Sequence, residues 1–381
     1  MRTVPVFDAR RQLGNIGKEL IKAIDKVMSG GRFILGENVL EFEEKFASYL
    51  GVKYAVGVAS GTDALSLSLT AAGVSSGDEV IMPANSYPTA FSVTTIGAIP
   101  KLVDVNPETF NIDPDKIEKA ISGKTKAIIA VHLYGQAADL NKIAPHALKH
   151  GLKIIEDCAQ AHGAQIRFGH NGWRRTGTVG DAGCYSFYPT KNLSCLGDGG
   201  MVVTNNTDIY RKVRLLRMYG EEKRYKSTVL GRNSRLDELQ AAVLLVKLKY
   251  LNRWNERRRE IASLYKVKIQ NAKLNKRIVV PGEAEYARHV YHLYAVRSKK
   301  RDKLKSYLER KGIGTGIHYP KPIHLQPSFK YLGYKKGDFP ESERACLEEL
   351  SLPCFPELTD GEVEYVCSEI NKFFPEGKSN D

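Results

Sequence analysis

Apolar and polar positions follow two rhythms along this chain. Nearly continuous apolar runs occupy residues 53–58, 79–83, 101–105, 126–131 and 153–157, each rich in Val, Ile and Ala and bounded by Gly, Pro or Asp. Runs of that kind predict strands buried on both faces. Between them lie segments of helical period, such as 139–149, where Leu140, Ile143 and Leu148 share a face. The alternation predicts an α/β fold, a mostly parallel sheet covered by helices on both sides. Two further strand-like runs, 182–188 and 200–204, enclose a glycine-rich loop.

The rhythm then changes. Residues 235–265 read as one long helix ending in the basic stretch 253–259, and 299–311 read as a basic helix. Six prolines from Pro320 to Pro356 punctuate the remainder. The expected division is a large domain over 1–250, including the N-terminal segment, and a smaller α+β domain over 251–381.

Composition narrows the class. The 381 residues are 42% hydrophobic and 26% charged, ordinary for a globular chain that buries a sizeable core. Lys and Arg number 57 against 43 Asp and Glu, a net +14 that admits a nucleic acid, a membrane surface or a small anionic substrate. The basic stretches 253–268 and 297–311 lack the interleaved aromatics of a stacking platform, so a nucleic-acid partner is not expected. No apolar run reaches the roughly 18 residues of a membrane span. The start, Met1-Arg2-Thr3-Val4-Pro5-Val6-Phe7-Asp8, lacks the apolar stretch of a signal peptide. Six cysteines without a Cys-x-x-Cys pair read as reduced, buried thiols. A cytoplasmic protein is expected.

Familiar signatures fail. Gly123-Lys124-Thr125 ends like a P-loop, but Glu118 stands where the earlier glycine is required. His146 and His150 have no Glu between them, and His289 and His292 have no nearby carboxylate or Cys, so no metal is expected. Three other features carry chemistry. Ala59-Ser60-Gly61-Thr62-Asp63 follows a strand and opens a helix, a start that suits a phosphate and equally an ordinary N-cap. Asp157 ends a buried strand, where ligands of open α/β sheets collect. It fits the protonated ring nitrogen of a cofactor, or simply the start of the next element. Lys191 lies in a small-residue, hydroxyl-rich loop after Ser186, either a desolvated Schiff-base lysine or a surface loop lysine. A phosphate cup, an acid and an amine together are what pyridoxal 5′-phosphate requires.

With those residues in place, the chain resembles the DegT/DnrJ family of nucleotide-sugar aminotransferases, fold type I enzymes of pyridoxal phosphate. The resemblance runs from Phe33-Ile34-Leu35-Gly36 to Ser351-Leu352-Pro353. It is carried by Ser60-Gly61-Thr62-Asp63-Ala64-Leu65, the block from Glu156 to Ala164, the loop from Ser186 to Gly200, the block from Asn233 to Ala242 and Gly316-Ile317-His318-Tyr319-Pro320. It implies a large domain with a mostly parallel seven-stranded sheet between helices, plus a smaller α+β C-terminal domain.

By the same resemblance Lys191 forms the Schiff base and acts as general base, and Asp157 pairs with the pyridinium nitrogen. Gln160 meets the phenolic oxygen, Tyr87 stacks on the ring, and Gly61, Thr62 and Ser186 hold the phosphate. Asn233 reaches the phosphate from the neighbouring subunit, which implies a homodimer with shared sites. Cys158 stands where the family commonly has Ala.

L-glutamate is the implied donor, with pyridoxamine phosphate carrying the amine to a nucleotide-linked keto-sugar. Asn233-Ser234-Arg235-Leu236-Asp237 and Trp254-Asn255-Glu256-Arg257-Arg258 look most like the C3 aminotransferases of dTDP-3-keto-6-deoxyhexoses. A 4-keto UDP-, GDP- or dTDP-sugar or a cyclitol is the alternative; of another class, a basic nucleic-acid-binding protein or a regulator on the same fold without turnover. Relatives that remove a hydroxyl carry His in place of the lysine, so Lys191 favours transamination. Tyr188 is expected to face the sugar; Tyr219, Lys223, Arg224 and Tyr225 to meet the pyrophosphate; and His318 and Tyr319 to reach the site from the C-terminal side.

Overall fold

A computed structural model of the chain describes residues 3–170 and 172–375. Seven strands form the central sheet: β1 (Tyr54–Val58), β2 (Glu79–Pro83), β3 (Ile99–Val103), β4 (Thr125–Val131), β5 (Lys153–Asp157), β6 (Ala182–Ser186) and β7 (Gly200–Thr204). Their order is β1-β7-β6-β5-β4-β2-β3. β7 runs antiparallel to both neighbours, and the other pairings are parallel. The third strand begins two residues earlier than the pattern predicts, because Pro100 sits within it and pairs in register with Val80.

Both faces of the sheet are covered, as continuous apolarity demands. Val80, Met82, Ile129 and Ile155 pack with the helices Gly61–Ala71 and Tyr87–Thr94, whereas Ile81, Ile128, Ala130 and Ile154 pack with the helix Leu140–His150. Alternate residues of one strand thus serve opposite layers. Phe42, Phe46, Tyr185 and Phe187 form an aromatic group in a third cluster, with ring centroids 5.0–5.7 Å apart.

The single helix expected over 235–265 is two, Glu238–Leu248 and Leu251–Asn271. The first is apolar nearly all round and packs on the helices Ala9–Gly30 and Glu37–Leu50. Tyr250 stacks on Trp254 at 5.6 Å just after the break. The second helix turns away, sending Ile261, Tyr265 and Ile269 into another cluster with Tyr294, Leu304, Leu350, Phe355 and Ile370. Neither Gly nor Pro marks that break; competing packing partners impose it. A short sheet of Tyr294–Arg297 with Glu349–Leu352 lies in the same cluster, as does Val4 from the N-terminal segment. The basic helix is Arg301–Arg310. All six cysteines are free and buried. Among the described residues no helix is long and apolar enough to cross a membrane.

Candidate active site

The strand order brings chain segments together at one edge of the sheet. The first residue of the antiparallel β7, Gly200, pairs with Val58 at the end of β1 and with Ser186 at the end of β6. Asp157, at the end of β5, pairs with Cys184. The carboxyl ends of β1, β4, β5 and β6 therefore surround one cavity of about 510 Å³. Gly61, Thr62, Asp157, Gln160, Ser186, Tyr188, Lys191, His318 and Tyr319 all line it.

Each has a local reason for its place. Ser60 caps the helix Gly61–Ala71, its Oγ accepting from Asp63 N at 3.1 Å. A Cβ on Gly61 would come within 2.6 Å of Ser186 Cβ, so only glycine lets the helix start approach the loop before Lys191 this closely. Asp157 is 6% exposed; its Oδ1 accepts from Ala159 N at 3.0 Å and its Oδ2 from Thr89 Oγ1 at 2.7 Å. Among the described residues no cation lies within ion-pair distance of it. Gln160 Oε1 accepts from Tyr134 N at 2.6 Å, which leaves its NH2 as a donor toward the cavity side, 3.5 Å from Tyr319 Oη.

Lys191 lines the cavity. Burial pushes its amine down to about 8, against the pull of Asp157. The next residue is clamped: Asn192 Nδ2 donates to Asn255 Oδ1 at 2.8 Å and to Val290 O at 3.2 Å, and His292 Nδ1 lies 3.2 Å from Asn192 Oδ1. Burial holds the nearby rings neutral, pushing His162 down to about 3, His318 down to about 4 and His292 well below its ordinary value.

The structure does not bring every expected residue to the cavity. Tyr87 opens the helix beside it, its ring 5.1 Å from Phe91 and 6.1 Å from Tyr319, but is not on the wall. Tyr219, Lys223, Arg224, Tyr225 and Asn233 are exposed and not on its wall. Lys223 belongs to a small hairpin, Arg224 lies over the Tyr225 ring at 5.0 Å, and Asn233 bridges to Met218.

Sequence reasoning missed several wall and support residues. Thr89, His132, Arg258 and His292 line the cavity. Glu156 is fully buried, accepting from Gly177, Val179 and Gly180 N–H groups at 2.7–2.8 Å and facing His132 Nε2 at 2.9 Å. The group His132, Glu156 and Cys158 offers three metal-ligand atoms, yet His132 Nδ1 accepts from Ala138 N at 2.9 Å, so its proton lies on Nε2 and points at the carboxylate. This is a satisfied hydrogen-bond network. Of the missed residues, Glu156, beside Asp157, and Arg258, ending the block from Trp254, stood within segments that carried a sequence signal. His146 and His150 both bind Glu118, at 2.9 and 3.0 Å, on a surface helix face.

The donor set fits pyridoxal phosphate: a buried carboxylate without a cation, an amine of depressed pKa and a helix start that admits only glycine. The sequence pattern of the DegT/DnrJ/EryC1/StrS aminotransferase family matches residues 14–371. The chain belongs to that family. DegT/DnrJ aminotransferases use pyridoxal phosphate. The "pleiotropic regulatory protein" of Geobacillus stearothermophilus is 46% identical over 372 residues, covering 97% of this chain and 98% of its own. The dTDP-3-amino-3,6-dideoxy-α-D-galactopyranose transaminase of Aneurinibacillus thermoaerophilus is 45% identical over 371 residues, covering 97% and 99%. Among solved structures, S. venezuelae DesV in complex with a ketimine intermediate superposes with a TM-score of 0.93 at 39% identity, covering 98% of this chain and 99% of that one. The central sheet and its helices are the fold type I architecture of these sugar aminotransferases.

Proposed function

We propose that this protein moves an amino group from L-glutamate to a nucleotide-linked keto-sugar, at C3 of a dTDP-3-keto-6-deoxyhexose. The observation that carries the reading is Lys191, an amine held near pKa 8 in the same cavity as the unpaired Asp157. The 45% identity to a dTDP-3-amino-sugar transaminase supports the choice of sugar. Bound in this cavity, pyridoxal phosphate supplies a carbonyl for the amine and a ring that takes up the electron pair freed at the donor's α-carbon.

The chain's residues divide the remaining work. Lys191 Nζ, neutral in a useful fraction near pH 7, takes the proton from the donor's α-carbon and later returns one to the sugar carbon. Asp157 holds the ring nitrogen protonated, its own position fixed by Thr89 and Ala159. Gln160 donates to the phenolic oxygen. Gly61, Thr62 and Ser186 receive the phosphate, where the free N–H groups of a helix start favour an anion. Tyr188 faces the sugar, and Tyr87 stacks on the cofactor ring once it is seated.

We read the exposed group Tyr219, Lys223, Arg224, Tyr225 and Asn233 as belonging to a site completed by a second copy of the chain. Asn233 then meets the phosphate across the interface, and the cations meet the sugar's diphosphate. Exposure of Tyr225 and Leu230, at 83% and 98%, supports a covering partner. The division near residue 250 and a reducing, cytoplasmic setting, supported by six free thiols, complete the reading.

The regulatory name of one relative favours a second reading, a fold retained without turnover. One experiment separates them. Purified protein is expected to be yellow, L-glutamate to bleach the visible band, and a panel of nucleotide-linked 3-keto and 4-keto sugars to restore it, fastest for the dTDP-3-keto-6-deoxyhexose. Lys191→Ala is expected to lose turnover by at least about 10³-fold. A bleached protein that no keto-sugar restores would support the regulator.

A further inference from the structure

Three side chains, His318 on the cavity wall and two buried behind it, form a chain that the reaction above does not use. Glu349 and Ser351 lie two apart on the strand Glu349–Leu352, and so on one face of it. They are 1% and 0% exposed. Ser351 Oγ lies 2.5 Å from Glu349 Oε1, and His318 N donates to Glu349 Oε2 at 2.7 Å. His318 Nδ1 lies 2.9 Å from the same Ser351 Oγ. His318 lines the cavity, and its ring rests on Gly316, where a Cβ would come within 2.6 Å of Cε1.

Counting protons along this chain fixes its direction. Burial pushes the Glu349 carboxyl up to about 7, against Ser351, the His318 N–H and the charge of Arg301, so above that pH it is an acceptor only. The hydroxyl hydrogen of Ser351 therefore goes to Glu349. Its oxygen is left to accept, and the partner in reach is His318 Nδ1, which must carry a hydrogen. The ring is uncharged, since burial and the nearby Lys191 push it down to about 4. A neutral imidazole protonated at Nδ1 has only a lone pair at Nε2. Among the described residues no group donates to that nitrogen.

We propose that Glu349 and Ser351 hold His318 as the neutral Nδ1–H tautomer, so that Nε2 accepts a hydrogen bond from a hydroxyl of the sugar substrate. The ligand in this inference rests on the keto-sugar reading; the tautomer does not. A cationic histidine would serve a diphosphate, whereas a neutral acceptor selects an O–H donor. It discriminates against an analogue lacking that hydroxyl, because the acceptor is then left unpaired. His318 touches substrate, and Glu349 and Ser351 are positioning residues.

Two measurements at pH 8 test this on the cofactor-loaded protein. Long-range 1H–15N correlation of ¹⁵N-histidine-labelled protein, with the His318 signals assigned by their loss in His318→Asn, is expected to show Nδ1 protonated and Nε2 bare. Ser351→Ala is expected to lose that pattern and Ser351→Thr to keep it. An Nε2–H ring or an imidazolium in the unaltered protein overturns the proposal whether or not any sugar reacts. In steady state, Ser351→Ala is expected to raise KM for the keto-sugar about tenfold, well beyond any change in KM for glutamate, with recovery in Ser351→Thr. Unchanged sugar KM in a folded Ser351→Ala protein overturns the hydroxyl contact. Absence of turnover with every keto-sugar defeats the proposed function instead, and the spectra then decide the tautomer alone.

Discussion

Thr89 Oγ1 donates a 2.7 Å hydrogen bond to Asp157 Oδ2, joining residues 68 positions apart. The hydroxyl also lies 2.7 Å from Ser86 Oγ, so a short chain of hydroxyls orients the carboxylate that faces the cavity.

Removing that hydroxyl is expected to loosen the cofactor. Thr89→Val keeps the shape and deletes one hydrogen bond to a charged acceptor, about 1–2 kcal/mol. The dissociation constant for pyridoxal phosphate, from absorbance titration of apo-protein, is expected to rise about 5- to 30-fold. Thr89→Ser is expected to recover most of the affinity. Equal affinity in the Val variant would leave Asp157 orientated by Ala159 alone.

Glu238 supplies a stability test. The helix Glu37–Leu50 has no side-chain cap of its own, since Gly36 precedes it. Glu238, 202 positions away, accepts from Gly36 N, Val39 N, Asn38 N and Asn38 Nδ2 at 2.7–3.0 Å. Glu238→Gln turns an NH2 toward N–H groups and is expected to lower the urea midpoint by the equivalent of about 2–3 kcal/mol. A loss within about 0.5 kcal/mol, the range of ordinary surface changes, would refute the capping role.

Lys247 gives a pH signature. It is 2% exposed, donates to Ser194 Oγ at 3.1 Å, and burial pushes it down to about 8 from an ordinary 10.5. Below pH 8 both folded and unfolded chains are protonated there, and the full cost of burying the charge is present. Between pH 8 and 10.5 the unfolded chain binds the proton more tightly, so this residue's contribution to stability rises with pH. Buried thiols such as Cys354, pushed up to about 11, act in the opposite direction, so the comparison must be made against the unaltered protein. Lys247→Met is expected to be more stable by about 3 kcal/mol at pH 7, an advantage that shrinks toward pH 10. A difference constant across that range would show that Lys247 does not titrate in the folded chain.

Much of this molecule is legible in its residues, for reasons that are local. The strands β1, β2 and β5 follow from continuous apolar runs, and the start at Gly61 from a Ser60 cap. Asp157, Gln160, Ser186 and Lys191 sit in motifs a few residues long, and all line one cavity. What is not legible depends on distant partners. The break at Lys249 and Tyr250 has no breaker residue, and Asn192 is held by Asn255 and His292 across 63 and 100 positions.

The sequence by itself determined the alternation of strand and helix, the two-sided burial of the sheet and the placing of Lys191 in a small-residue loop after a strand. Each of these is set by side-chain type and near-neighbour spacing. Tertiary structure alone decided that β7 runs antiparallel, carrying Gly200 between Val58 and Ser186 and so the helix start at Gly61 to the loop that holds Lys191. It also decided that Thr89 aims Asp157 and that Ser351 and Glu349 stand behind His318. A hydrogen bond between residues tens of positions apart leaves no mark in local periodicity. Its direction depends on which proton each buried group can give, and that is fixed only when the partners meet.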